Sequence, residues 1–196
     1  MASNGKVALV TGGGSGIGKA SALALAREGF AVVVAGRRPE PLNAVVSEIE
    51  KLQVKALGVP TDVSDPASVE NLFAKTKATF GRLDVLFNNA GFGAASEIED
   101  LAWDRWSGVI GSIVHGTFLC TQQAFRMMKE QKPMGGRIIN NGSISAHVPR
   151  PQSIAYTTAK HAVTGLTKST ALAMLSLLRP SFSRNWKPTF PPSNMV

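Results

Sequence analysis

The sequence predicts an α/β domain built on a single doubly wound parallel sheet. Three observations carry that prediction. Short β-branched runs alternate with longer helical stretches, the pattern of βαβ units with helices on both faces of a sheet. The first strand runs into a glycine-rich turn that opens a helix. Hydrophobic residues make up 44% of the 196, enough for a sizeable core and for one domain.

Taken in order, Lys6 to Thr11 reads as a buried strand and Ile17 to Glu28 as a helix. Phe30 to Ala35 is a second strand, followed by a helix over Pro41 to Leu52. Lys55 to Val59 is a third, weaker strand, and Asp65 caps a helix over Pro66 to Phe80. Leu83 to Phe87 and Arg137 to Asn141 are the fourth and fifth strands, separated by a long helical region, Trp103 to Glu130. Ile154 to Leu175 is the last helix. The domain is therefore placed at residues 1–174, with residues 175–196 as an atypical Pro-rich basic tail.

Composition narrows the function classes. The longest apolar runs are short, so no membrane span or membrane partner is expected, and the N-terminus lacks a signal-peptide layout. Cys120 is the only cysteine, which excludes an internal disulfide framework and a cysteine-based zinc cluster; a cytoplasmic location is the expectation. The net charge of +8 arises wholly after Glu130, where eight Lys/Arg residues stand without an acid. They form no run and no nucleic-acid motif, so no nucleic-acid partner is expected. His115, His147 and His161 share no ligand spacing and no metal is expected. Trp103 and Trp106 read as core or interface residues.

The chemistry concentrates at strand ends. After the first strand, Thr11-Gly12-Gly13-Gly14-Ser15-Gly16-Ile17-Gly18 lets the backbone approach a pyrophosphate and presents a helix N-terminus to it. The second strand ends at Gly36-Arg37-Arg38. An acid there would bind the ribose hydroxyls; a guanidinium suits a 2′-phosphate, which favours NADP over NAD. Asn88-Asn89-Ala90-Gly91 follows the fourth strand, at the edge where ligands bind in open α/β sheets. Tyr156 and Lys160 lie four apart on one helix face, and an ammonium beside a phenol lowers the phenol's pKa toward working pH.

Thr11-Gly12-x-x-x-Gly16-x-Gly18, Asn88-Asn89-Ala90-Gly91 and Tyr156-x-x-x-Lys160 occur in that order, with Ser143 thirteen residues before Tyr156. Over about Lys6 to Ala173 the chain resembles the short-chain dehydrogenase/reductase family, whose fold is of the Rossmann type. The resemblance implies an NAD(P)-dependent oxidoreductase acting on a small alcohol or ketone. It implies Tyr156 as acid/base, Lys160 as its pKa-lowering partner and a ribose contact, and Ser143 as the anchor of the substrate oxygen, with Ser145 a less well-spaced alternative. The cofactor contacts it implies are Gly12, Gly14, Ser15, Gly16, Ile17 and Gly18 at the first turn. Further along they are Arg37, Asp62 and Val63 near the adenosine, then Asn89, Ala90 and Gly91. It also implies a dimer face on the long helices.

Two departures stand out. The family's helix between strands four and five carries an asparagine that anchors a proton-relay water; aligned on Gly116-Thr117-Phe118, that position is Ile113. Slower proton exchange, without lost cofactor binding, is the expected result. Secondly, the resemblance stops after about Ala173 with no sixth strand and no Pro-Gly turn. Leu175 to Val196 holds four of the eleven prolines, no acid and no regular period, as an altered frame or an alternative end would produce. The expected sheet therefore lacks the last one or two strands, leaving the fifth with an open edge. Two functions follow: an NADP-preferring oxidoreductase transferring a hydride to or from a secondary alcohol or ketone, or a catalytically silent or unstable dinucleotide-binding remnant.

Overall fold

The computed structural model describes residues 5–178, with side chains through residue 173. The expectations for the tail beyond residue 178 lie outside the described residues. The elements are β1 (Val7–Thr11), α1 (Gly16–Arg27), β2 (Ala31–Gly36), α2 (Pro39–Glu50), β3 (Ala56–Pro60), α3 (Pro66–Phe80), β4 (Val85–Asn88), α4 (Trp103–Ile110), α5 (Gly116–Glu130), β5 (Arg137–Asn140) and α6 (Ile154–Leu178). The strands form one parallel sheet in the order β3-β2-β1-β4-β5. The order reverses between β1 and β4, which opens a crevice at the carboxyl ends of those two strands.

The strand sequences explain the layering. β1 is buried along its whole length and β2 along all but its final glycine, because helices cover both faces of the sheet. Residues Leu9, Val33 and Leu86 face α3 and α5, meeting Leu72, Phe73 and Ala124. Residues Val10, Val32 and Val34 face α1 and α2, meeting Ala22, Leu42 and Ile49. A third cluster joins α4 to α6 through Val109, Ile113, Ala155 and Ala159. Among the described residues no strand pairs with the outer edge of β5, and Ile139 on it is 49% exposed.

Local signals set most boundaries. The Asp65 carboxylate accepts from the N–H groups of Ala67 and Ser68, Pro66 occupies the first turn, and Gly81 at φ +73° closes α3. Helix α2 starts two residues earlier than expected, at Pro39, since a proline in the first turn gives up no intrahelical hydrogen bond. Helix α6 continues to Leu178, three residues past the expected end, through a stretch that contains neither glycine nor proline.

The long helical region is interrupted. Gly111–His115 forms a π-helical turn between α4 and α5. Close packing accompanies it: a Cβ on Gly116 would lie 2.6 Å from Val63 Cγ2, and one on Gly111 would lie 3.2 Å from Ser64 Cβ. No helix among the described residues is long and apolar enough to cross a membrane.

Candidate active site

The turn after β1 is closed to side chains. Gly12 has φ +65°, and a Cβ there would sit 3.0 Å from both Ala90 Cα and Asn89 Nδ2. A Cβ on Gly18 would collide with the Gly12 carbonyl and lie 2.7 Å from Asn89 Nδ2. Beyond this packed floor, Ser15, Gly16 and Ile17 are exposed at the start of α1. Ser15 makes no side-chain cap bond, and first-turn N–H groups have no partner within their helix. A pyrophosphate fits this cradle: its floor admits no Cβ and its rim offers backbone donors under a positive dipole end.

Beside it lie the ends of β2 and β3. Arg37 and Arg38 are exposed just past Gly36. The Asp62 carboxylate accepts from the Ser64 hydroxyl at 2.6 Å and the Ser64 N–H at 2.9 Å. Those two bonds hold its carboxyl below the usual range against partial desolvation, and the positive charge of Arg37 helps. Asp62 and Arg37 thus face one another's field at the same edge of the sheet, while Val63 is buried against Gly116.

Past β4, Asn89 is bound to the end of β1. Its backbone N–H and that of Ala90 donate to Thr11 Oγ1 at 3.0 and 3.1 Å, and its Nδ2 donates to the Thr11 carbonyl at 3.0 Å. Thr11 was absent from the sequence expectations except as the first letter of a motif; a hydroxyl at the end of an otherwise apolar strand is the signal for it. Gly91 lies under Ile113, whose Cγ1 would be 2.7 Å from an added Cβ. Ile113 is 1% exposed and packed with Ala155 and Ala159, so a dry aliphatic contact fills its position in the π-helical turn.

The three residues singled out for chemistry gather at the β4–β5 side. Ser143 is half-buried before a 3₁₀ turn, Ile144–Ala146, and its Oγ accepts from the Ser145 N–H at 3.1 Å. Ser145 is fully buried. Tyr156, in the first turn of α6, lies with its ring 3.9 Å from where a Gly93 Cβ would stand. Lys160, one turn on, is 5% exposed, and its Nζ lies 5.5 Å from the Tyr156 ring centroid. That ammonium donates to the Asn141 carbonyl at 2.6 Å, and burial pushes its pKa below the ordinary lysine value. The sequence alone did not single out Asn141 for this contact.

The remaining candidates fall away from this edge. His115, His147 and His161 are all exposed. Trp106 packs on the α4–α6 cluster, whereas Trp103 is 73% exposed. Burial pushes the Cys120 thiol up to about 12, which leaves it unreactive at neutral pH.

A crevice-edge dinucleotide cradle beside a Tyr/Lys pair defines a class, and comparison with known proteins agrees. The chain belongs to the short-chain dehydrogenase family, whose family model matches residues 6–176. It is 40% identical over 168 residues to a 3β-hydroxysteroid dehydrogenase of Mediterraneibacter gnavus, covering 85% of this chain and 60% of that protein. The crystal structure of an acetoin dehydrogenase from Enterobacter cloacae superimposes with a TM-score of 0.81 at 42% identity, covering 87% of this chain and 68% of that one. That of an NAD+-bound xylitol dehydrogenase gives 0.84 at 35% identity, covering 88% and 66%. The chain thus spans about three fifths of the hydroxysteroid dehydrogenase and two thirds of the two solved enzymes.

Proposed function

We propose that this chain is an oxidoreductase that exchanges a hydride between NADP(H) and a small secondary alcohol or its ketone. The observation that carries the reading is the buried Lys160 ammonium beside Tyr156 at the crevice edge. On this reading Tyr156 passes a proton to and from a substrate oxygen, with the buried Lys160 ammonium facing its ring. Ser143 is the anchor for that oxygen. The full burial of Ser145 favours Ser143, a half-buried residue whose Oγ accepts from the Ser145 N–H and keeps its own proton to donate. When bound, the nicotinamide supplies the hydride acceptor or donor. Gly12, Gly14, Ser15, Gly16, Ile17 and Gly18 would hold the pyrophosphate, with Asn89, Ala90 and Gly91 along its other side.

Arg37 supports the choice of NADP: it is exposed at the end of β2, where a 2′-phosphate would meet a guanidinium. Asp62 and Val63 would line the adenine side. The xylitol dehydrogenase is an NAD+ complex and points the other way, so the preference needs its own measurement. Relatives named for a hydroxysteroid, acetoin and xylitol support an alcohol or ketone substrate. The same reading includes a homodimer through α5 and α6, where Phe118 and Leu172 are each half-exposed.

A second reading, a dinucleotide-binding protein without turnover, is favoured by Ile113. The test is a fluorescence titration with NADPH and with NADH, followed by turnover on a panel of ketones. Saturable binding with NADPH tighter, and turnover abolished in Tyr156→Phe, is the expected result. Binding without turnover selects the second reading, and binding of neither coenzyme overturns both.

A further inference from the structure

Asn140 ends β5 and Asn141 follows it directly, the two side chains making separate contacts. Asn140 joins β4 to α6: its Oδ1 accepts from Asn88 Nδ2 at 2.9 Å and its Nδ2 donates to Thr167 Oγ1 at 2.8 Å. Asn141 faces the crevice. Its Nδ2 donates to Asn89 Oδ1 at 2.9 Å, its N–H donates to the Asn88 carbonyl at 2.9 Å, and its own carbonyl receives the Lys160 ammonium at 2.6 Å. The same Asn89 amide donates to the Thr11 carbonyl and lies against the Gly12–Gly18 contact. An unbroken line of hydrogen bonds therefore runs from the glycine-rich turn through Asn89 and Asn141 to Lys160.

We propose that Asn141 is a positioning residue: its side-chain amide, tied to Asn89, fixes the backbone carbonyl that holds Lys160 against Tyr156 and ties that lysine to the cofactor cradle. The inference rests on the oxidoreductase reading above. Its physical basis is geometric. A lysine ammonium has three donors on a flexible four-carbon stem, and here one donor is anchored on an acceptor whose residue is itself held at two further points. Every residue type supplies a carbonyl at position 141, so the backbone bond alone does not require asparagine. Only a side chain that donates to Asn89 Oδ1 locks that carbonyl to the cradle.

The effect separates from ordinary stability. Without the amide tie, Asn89 loses a partner and the Lys160 acceptor can shift. Cofactor affinity and the acid limb of the rate profile should then move together. For Asn141→Leu the expected result is roughly threefold to tenfold weaker NADPH binding in the fluorescence titration, the scale of one lost hydrogen bond. The acid limb of kcat should move up in pH, because the ammonium that faces the Tyr156 ring is less well held. Asn141→Gln, which keeps an amide donor, should recover part of both. Asn141→Ser, too short to reach Asn89, should reproduce the leucine result and serves if leucine disturbs folding.

Wild-type affinity and an unmoved acid limb in either variant overturn the proposal, even if thermal stability falls, since that pattern belongs to a structural role. Failure of this kind leaves the oxidoreductase reading intact. Absence of NADPH binding by the unmutated chain would instead remove both.

Discussion

The two sides of the crevice are held together by different means. On the β1–β2 side the cradle is steric: Gly12, Gly13 and Gly18 approach Asn89, Val34 and one another so closely that no Cβ fits. On the β4–β5 side it is polar: Asn88, Asn89, Asn140 and Asn141 knit strand ends to α6 through side-chain amides. A steric arrangement fails on any enlargement, because the backbone itself must move. An amide network fails through the loss of a donor or acceptor and can be repaired by another residue with the same groups. On the proposed reading Gly18 serves cofactor binding and Tyr156 serves turnover, so substitutions at these two should separate affinity from turnover, whereas Asn141, tied to both sides, should move the two together.

Tyr156→Phe should show that separation most strongly. Turnover is expected to fall by about 10² to 10⁴, the worth of a positioned acid/base, while NADPH titrates with nearly unchanged affinity. Gly18→Ala should do the reverse. Forcing a methyl group onto the Gly12 carbonyl costs on the order of 1–3 kcal/mol, so NADPH binding should weaken roughly tenfold to a hundredfold, with circular dichroism reporting an intact fold. Arg37→Ala sharpens the contrast within the binding side. NADPH should lose about tenfold or more in affinity while NADH changes little, since only the former carries the 2′-phosphate. Equal losses for both coenzymes would show that Arg37 does not read that group.

The effect furthest from cofactor and turnover lies at the seam between the sides and falls on stability. Asp84 accepts from the Val7 N–H at 2.9 Å and pairs with Arg82 at 2.7 Å, joining the start of β1 to β4. Burial alone would raise its carboxyl, but the Arg82 guanidinium and the Val7 N–H outweigh it and hold it below the ordinary value of 3.8. A depressed carboxyl stabilises the fold above its unfolded pKa and loses that contribution as pH falls through the folded one. Asp84→Asn should therefore cost about 1–3 kcal/mol at neutral pH. The gap to the unmutated chain should narrow in denaturant titrations below about pH 4, and a constant gap would show that the charge is not what matters.

Much of this was legible in the sequence because it is local. Strands β1 and β2 are continuous apolar runs, Asp65-Pro66 announces α3, and the Tyr156/Lys160 spacing places both on one helix face. The π-helical turn was not legible: it accompanies Gly111 approaching Ser64 and Gly116 approaching Val63, partners far away in the sequence. Nor was Asn141, whose role depends on Asn89, 52 residues earlier. Local periodicity reports which side faces the core, and it carries no record of which amide meets which across a sheet. Ile113 shows the middle case. Its departure from the family pattern was readable, but its dry contact with Gly91 needed the folded chain.

The placement of β1 between β2 and β4 also bears on how the chain is made. Strand β1 leaves the ribosome with its β2 neighbour roughly 25 residues behind it, but its β4 neighbour roughly 75 behind. The longer closure adds only about 1 kcal/mol of chain entropy, so the finished sheet is hardly penalised. Time is the larger matter. At ordinary elongation rates the wait between β2 and β4 is about 3–10 s, far longer than a helix or a strand pair takes to form. Throughout that interval the strand Val7–Thr11, buried in the finished fold, has one edge of backbone N–H and C=O groups without its β4 partner. The crevice between β1 and β4 can form only after those seconds have passed.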